Sequence, residues 1–289
     1  MTDFVIVSNP RAGSFSEEVE NKLLQDLREI SPRAIRTEFP GHATKIAREL
    51  PDDAWILVLG GDGTINEVVN GIVGTRKVLV PYAGGTGSDL VRTTGHLDSG
   101  TIISGFKNGK QAEIDCGKIT FKTGERYFVN SLEIGFGANV MRRVNAKHKR
   151  GKRAFTSSVL REVPSLKAYD LAISSEEFSN KVSAIEVIVA NGRFFGGGML
   201  ASPGSKLDDG KLDVHLIHKI GRGRLILNFK KVVNGSYVNM EFVSNFSTSK
   251  VAIEGDVASV EADGESLGET PISVEVVPGS VRVLKGTVS

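Results

Sequence analysis

The sequence predicts an α/β domain followed by an all-β domain: a three-layer α/β unit with a mostly parallel sheet over residues 1–112, and an antiparallel β-sandwich over residues 113–289. Three observations carry this reading. Up to about residue 112, short wholly apolar segments alternate with segments whose apolar residues recur at helical spacing, which is the pattern of a parallel sheet covered on both faces. Beyond it, short runs of alternating polarity are separated by glycine, asparagine and aspartate turns, the pattern of antiparallel structure. At 289 residues the chain is long for one globular unit and comfortable for two.

The elements follow in order. Residues 4–7 (Phe-Val-Ile-Val) form a short buried strand, and the loop 8–13 follows. Val19, Leu23, Leu24, Leu27 and Ile30 place a helix over 17–30. A strand near 35–39 precedes the Pro40-Gly41-His42-Ala43 turn and a helix running through Ile46 and Leu50. Residues 55–59 and 78–80 are two more interior strands. In the second half the strand candidates are 127–132, 184–190, 212–217, 251–253 and 273–277, interrupted by a basic helical excursion over 139–170.

Bulk properties exclude several classes. A net charge of +2 argues against a dedicated nucleic-acid binder. The single cysteine, Cys116, excludes a disulfide within the chain and fits a reducing compartment. It reads as a packed core residue rather than a reactive thiol. There is no signal-peptide pattern and no apolar run near the roughly 18 residues of a membrane span. A cytoplasmic protein is expected.

The most informative stretch runs from Leu57 to Gly71, where an apolar strand ends in Gly60-Gly61-Asp62-Gly63-Thr64 and a helix begins. Glycines let the backbone approach a ligand closely, and free N–H groups at a helix start attract anions. An aspartate in the same turn is placed to organise a metal riding on that anion. Alone, the segment is equally a tight turn. However, the loops 9–13, 37–43, 60–66 and 84–89 all follow strands of one parallel sheet and so emerge at one edge, where open α/β folds bind ligands. Together they form a nucleotide phosphate site. It lacks the Walker lysine, and there is no GxGxxG after the first strand.

These motifs resemble the diacylglycerol/sphingosine/ceramide lipid kinase family. The resemblance rests on Asn9-Pro10-x-x-Gly13, Pro40-Gly41-His42-Ala43, Gly60-Gly61-Asp62-Gly63-Thr64-x-x-Glu67-Val68-x-Asn70-Gly71 and a GTxNDFAR-like loop, Gly85-Thr86-Gly87-Ser88-Asp89-Leu90-Val91-Arg92. It continues through Asn130-x-x-x-x-Gly135-Phe136-Gly137, Asn191-Gly192, Gly196-Gly197-Gly198-Met199, Asp208-Asp209-Gly210-x-Leu212-Asp213 and Asp263-Gly264-Glu265. The order is the family's and spans nearly the whole chain. GGDGT alone is shared with NAD kinases and phosphofructokinases.

The resemblance implies an ATP- and Mg²⁺-dependent kinase, with nucleotide on the α/β domain and lipid against the β-sandwich. Asn9, Pro10, Gly13, Thr37, Gly60, Gly61, Asp62, Gly63, Thr64, Asn66, Glu67, Gly85 and Thr86 would serve the nucleotide. Asp62 would sit near the catalytic Mg²⁺, and Asp209, with backbone carbonyls near Lys206 and Lys211, would hold a structural Mg²⁺. Asp263 and Glu265 would act on the lipid hydroxyl proton. From the residues themselves, Asp263 and Glu265 on a bare strand would share a face, although an exposed acidic β-turn explains them as well. Asp208-Asp209-Gly210 by itself is equally a turn. Ser88, Leu90 and Ala83 depart from the family's usual Asn, Phe and Pro, which bears on substrate preference and turnover. His42 reads as either a nucleotide contact or a cap of the following helix.

Residues 142–153 hold seven lysines or arginines in twelve positions. They form a solvated helix face or a docking patch for an anionic membrane surface, worth about 1 kcal/mol per basic residue there. Nucleic-acid binding is not expected, since interleaved aromatics are missing. The expected partners are therefore ATP, a diacylglycerol-like or long-chain-base lipid and the membrane surface, with a second copy of the chain as a candidate homodimer. The alternatives are an NAD kinase-like phosphotransferase and a non-catalytic nucleotide- or lipid-binding regulator.

Overall fold

The computed structural model describes residues 2–13, 15–82, 88–146 and 152–286. The chain forms two compact units, residues 1–116 with 278–289, and residues 117–277. The expected boundary at 112 is shifted, and assigning 278–289 to the second domain is corrected. The last strand, Ile272–Val283, ends by pairing Arg282 and Val283 in parallel with Val78 and Leu79, so the chain terminus returns to the first sheet. Hydrophobic pattern alone carries no information on such pairing.

The first unit contains β1 (Phe4–Ser8), α1 (Glu17–Asp26), β2 (Arg33–Arg36), α2 (His42–Glu49), β3 (Trp55–Leu59), α3 (Asp62–Ile72), β4 (Val78–Tyr82), α4 (Asp89–Thr94), α5 (Ser99–Asn108) and the start of β5 (Ala112–Phe121). Its strands are parallel in the order β2-β1-β3-β4, with the last strand of the chain at the outer side of β4. Every residue of β1 and β3 is buried, as wholly apolar strands require. Phe4, Ile6, Trp55, Leu57 and Leu59 face Leu23 and Leu27 of α1 and Ile102 of α5. The alternate residues Val5, Val7, Ile56 and Val58 point to the other face, on which α3 packs with α2 beside it. The unit is thus the expected three-layer α/β arrangement.

Two local expectations shift. The helix over 17–30 ends at Asp26, and a 3₁₀ turn covers Arg28–Ile30. The strand near 35–39 is β2 at Arg33–Arg36, because parallel register with β1 (Val5 opposite Arg33, Ser8 opposite Arg36) fixes it there. This edge strand is largely exposed and carries no apolar signature.

The second unit continues β5 and adds β6 (Gly124–Phe128), β7 (Ser131–Gly135), α6 (Phe136–Ala146), α7 (Lys152–Glu162), β8 (Tyr169–Ser174), β9 (Ser179–Ala190), β10 (Phe194–Phe195), β11 (Met199–Leu200), β12 (Leu212–His218), α8 (Arg222–Val233), β13 (Val243–Thr248), β14 (Lys250–Gly255), β15 (Ser259–Ala262), β16 (Glu265–Glu269) and β17 (Ile272–Val283). Its ladders are antiparallel. Residues 186–190 of β9 pair with β7, and the same stretch pairs on its other side with β12, whereas 179–184 pair with β8. Two arms of sheet therefore meet at β9. Leu132, Ile134, Val187, Val189 and Val214 from one arm pack against Leu171, Ile173, Val251 and Val274 from the other. This is the expected sandwich. The run 127–132 proves to be two strands, broken at Val129-Asn130.

The outer face of the β7-β9-β12 arm is covered by helices: Val140 of α6, Val159 of α7 and Leu225 of α8 pack on Ile188, Ala190 and Ile217. The helical excursion read from sequence is this cover. No helix among the described residues is long and apolar enough to cross a membrane.

Candidate active site

In the first unit the chain leaves β1 towards β2 on one side and returns to β3 on the other. The crevice beyond the ends of β1 and β3 is therefore a topological switch point. Two loops there are joined directly. Asn9 N donates to Leu59 O at 3.0 Å, and Asn9 Nδ2 donates to Thr64 Oγ1 at 2.9 Å. Asn9 Oδ1 in turn accepts from Arg11 N at 3.0 Å, which fixes the amide and shapes the turn leading to exposed Gly13. Gly60 must be glycine, since a Cβ would lie 2.7 Å from Thr64 Cβ and Oγ1. This close approach lets α3 begin immediately at Asp62, with Thr64 N and Ile65 N returning to Gly61 O at 2.9 and 3.1 Å.

The remaining loops are tied to the same edge. Asp62 Oδ1 accepts from Asp89 N at 2.8 Å, so the start of α3 is bound to the start of α4. Ser88, the departure from the family pattern, acts as the N-cap of α4, accepting from Val91 N at 3.3 Å. Thr37 N donates to Ser8 O at 2.8 Å, placing Thr37 beside the end of β1. Glu67, expected at the nucleotide, gives Oε2 to Ala43 N at 3.1 Å and so caps α2. Asn66 is buried and bonded to Asn70 Nδ2. Gly61 is half-buried, while Pro10 and Gly63 are exposed at the edge. His42 stacks on Phe39 at 4.4 Å, and its Nδ1 accepts from Glu38 N, a structural role. Gly85 and Thr86 lie outside the described residues.

The crevice suits a phosphate and its cation. The first turn of α3 directs N–H groups and the positive end of the helix dipole outward. Among the described residues no group of three or more His, Cys, Asp or Glu is placed to hold a metal alone. One carboxylate, Asp62, beside a phosphate is what Mg²⁺ ordinarily takes. The residues present therefore fit a nucleotide-borne cation. Asp209 is exposed and closes an Asx turn by accepting from Lys211 N at 3.1 Å, with Lys206 exposed nearby in sequence. That geometry is a turn's.

In the second unit, Asp263 and Gly264 form a two-residue hairpin between β15 and β16, with φ of 47° and 88°. Asp-Gly with both residues left-handed is the chemistry of a type I′ turn. The shared-face argument for Asp263 and Glu265 is therefore corrected: one lies in the turn and the other opens β16. Buried Asp263 binds three backbone N–H groups, from Val129 at 2.8 Å, Asn130 at 3.0 Å and Ser131 at 3.2 Å. It pins the break between β6 and β7. Glu265 is exposed.

Three carboxylates that the motif reading missed stand together on the outer face of this arm. Glu133 lies opposite Glu261, and Gly135 opposite Glu186. All three glutamates are buried. Glu133 and Glu186 line an apolar cavity of about 50 Å³ beneath α6, α7 and α8, walled by Val140, Val159, Ile188, Leu225 and Phe229. Burial, opposed by a hydrogen bond from Gly137 N and reinforced by the charge of Glu261, pushes the Glu186 carboxyl well up from its usual range. In sequence these acids sit at apolar-flanked strand positions, and that is the one signal available.

Residues 3–119 match the family model described as a diacylglycerol kinase catalytic domain, and residues 130–285 that of a YegS C-terminal NAD kinase β-sandwich-like domain. YtlR of Bacillus subtilis, named as a candidate lipid kinase, is 25% identical over 98% of this chain and 99% of its own length. A diacylglycerol kinase of Mycobacterium tuberculosis is 26% identical over 80% of this chain and 76% of that protein. A solved structure described as a candidate diacylglycerol kinase from Bacillus anthracis shares the fold, with a TM-score of 0.79 over 99% of this chain and 98% of that one at 24% identity. With both family models matched in order along the chain, this protein belongs to the diacylglycerol kinase-like family of lipid kinases.

Proposed function

We propose that the chain is an ATP- and Mg²⁺-dependent kinase that phosphorylates the hydroxyl of a diacylglycerol-like or long-chain-base lipid. The observation that carries this is the stitched crevice at the ends of β1 and β3, where Asn9 holds Thr64 and Asp62 holds the start of α4. Phosphoryl transfer needs positioned phosphates and neutralised charge more than covalent help from the protein. The first-turn amides of α3 position the phosphates. Asn9 keeps the β1 loop open beside them by binding Thr64 rather than collapsing over the turn. Asp62, fixed on one oxygen by Asp89 N, presents its other side to the phosphate cation. When bound, that cation neutralises charge on the transferring group.

In the second unit the helix-covered cavity supplies an apolar wall for a lipid chain. Its hydrogen bonds make Asp263 a positioning residue that fixes the 129–131 turn, which leaves exposed Glu265 as the acid of this pair free to steer the hydroxyl proton. The protein is read as cytoplasmic, working peripherally at an anionic membrane. Of its basic run, Lys147, Lys149 and Arg150 lie outside the described residues. Arg143 forms an ion pair with buried Glu162 across α6 and α7, so its charge has a structural use.

The test is transfer of label from γ-labelled ATP to a total lipid extract, with NAD as a second acceptor. The expectation is labelled lipid, unlabelled NAD, and a loss of about 10²–10³ in transfer for Asp62→Asn with folding unchanged. Labelled NAD, or full turnover by Asp62→Asn, refutes the assignment.

A further inference from the structure

We infer that the helix-covered cavity of the second unit is a selective binding site for a single-chain amphiphile ending in an amine, with Glu186 and Glu133 receiving the ammonium and the apolar walls receiving the chain.

The placement of the acids is built, not incidental. At Ile217 and His218 of β12 the partners in β9 change from Glu186 to Ala184, so β9 carries a bulge at Ile185-Glu186. Bulges re-aim side chains. This one turns both Ile185 and Glu186 to the helix-covered face, where they line the cavity. Glu186 Oε2 accepts from Gly137 N at 2.5 Å, which caps the start of α6. Its Oε1 is buried and has no hydrogen-bond partner. A helix cap needs one oxygen. The second remains in an apolar cavity, and nothing in the capping role accounts for it.

The neighbourhood favours a donor with positive charge. Gly137 is the floor on which the acids meet: a Cβ there would collide with Glu133 Oε2 and lie 3.0 Å from Glu186 Oε1. Among charged groups, the carboxylate of Glu261 acts most strongly on Glu186. Acids brought this close in a low-dielectric site repel one another, and an ammonium relieves both the repulsion and the unmet oxygen. An ester carbonyl, which only accepts hydrogen bonds, satisfies neither. A fatty acid adds a further negative charge. The walls admit one chain when α8 yields, since of its residues only Leu225 is buried.

The experiment is direct binding to the full chain without ATP, using dodecylamine, dodecanol and dodecanoate below their micellar concentrations, by titration calorimetry. The wild type is expected to bind the amine about tenfold or more tightly than the carboxylate, the size of one charge-assisted hydrogen bond. Glu186→Gln keeps an oxygen for Gly137 N and is expected to bring amine and alcohol within about threefold. Glu133→Gln should act in the same direction. Equal binding of amine and carboxylate by the wild type, or an amine preference intact in both variants, overturns the inference. The proposal stands apart from the kinase reading: amine selectivity without transfer of label to any lipid sinks the latter alone.

Discussion

Replacing Asp263 by alanine separates a structural from a catalytic role. The substitution removes the acceptor of the N–H groups of Val129, Asn130 and Ser131, at 2.8, 3.0 and 3.2 Å in a buried segment. A hydrogen bond to a charged group is worth about 1.5–3 kcal/mol. The three share one carboxylate and do not add, so a loss on the order of 3–5 kcal/mol is expected. Alanine at a φ of 47° adds about 1 kcal/mol of backbone strain. That is a large part of the roughly 5–15 kcal/mol that holds a domain. Asp263→Asn tolerates the left-handed turn and keeps one oxygen for Asn130 and Ser131, but it sets an NH₂ against Val129 N. Its cost is about 1–2 kcal/mol. Urea unfolding followed by circular dichroism reads both, alongside phosphate transfer. An alanine variant that unfolds within about 0.5 kcal/mol of wild type yet loses transfer would falsify the structural assignment and restore Asp263 as the catalytic acid.

Three further outcomes are expected. Thr64→Val keeps shape but removes the acceptor of Asn9 Nδ2, so it should cost about 0.5–1.5 kcal/mol and raise the KM for ATP more than it lowers kcat; an unchanged KM removes Asn9–Thr64 from the nucleotide site. Gly71→Ala should gain about 1 kcal/mol from helix propensity, yet its Cβ would lie 2.7 Å from both Ala47 Cβ and the backbone oxygen of Thr44. The clash, on the order of 1–3 kcal/mol, wins, and a lowered urea midpoint checks it. Buried His215, between Asn245 Oδ1 and Ser202 Oγ, has its pKa lowered below 6.5 chiefly by burial, against the Asn245 hydrogen bond and the charge of Asp213. Its folded value is the lower one, so its contribution is full above pH 6.5 and is lost as pH falls through the folded value. Melting scans of wild type against His215→Gln from pH 7.5 downward should diverge in slope below pH 6.5; parallel curves reject the assignment.

What was legible in the sequence was local. The switch-point loops each sit within a few residues of the strand that presents them, so Gly60, Asp62 and Thr64 announce their geometry by spacing alone. The interior strands β1 and β3 were equally plain, because burial on both faces leaves a continuous apolar run. Edge strand β2 was misplaced because it is mostly exposed and its register comes from a partner strand. The Asp263-Gly264-Glu265 motif was visible but its geometry was not: treating it as strand put both acids on one face, whereas the Asp-Gly pair is itself the hairpin turn. The return of the chain end to the first sheet depends on pairing between Arg282 and Val78, far apart in sequence.

The glutamates of the second unit show why such non-local chemistry also specifies the fold. Glu133, Glu186 and Glu261 stand on strands far apart in sequence and meet only in one register. In each strand the neighbours on the opposite face, Leu132 and Ile134, Val187, and Val260 and Ala262, fill the core between the sheet arms. A slip of one residue would exchange the two faces and carry a carboxylate into that core. Burying an acid among valines without a partner costs several kcal/mol, more than most apolar mispairings. On the helix-covered side the same acid meets Gly137 N and the head of α6, so the correct register is the one in which its burial is compensated. The bulge that frees Glu186 to line the cavity therefore does so within a register its own charge helps to enforce. A selective pocket and an unambiguous strand pairing come from one set of residues.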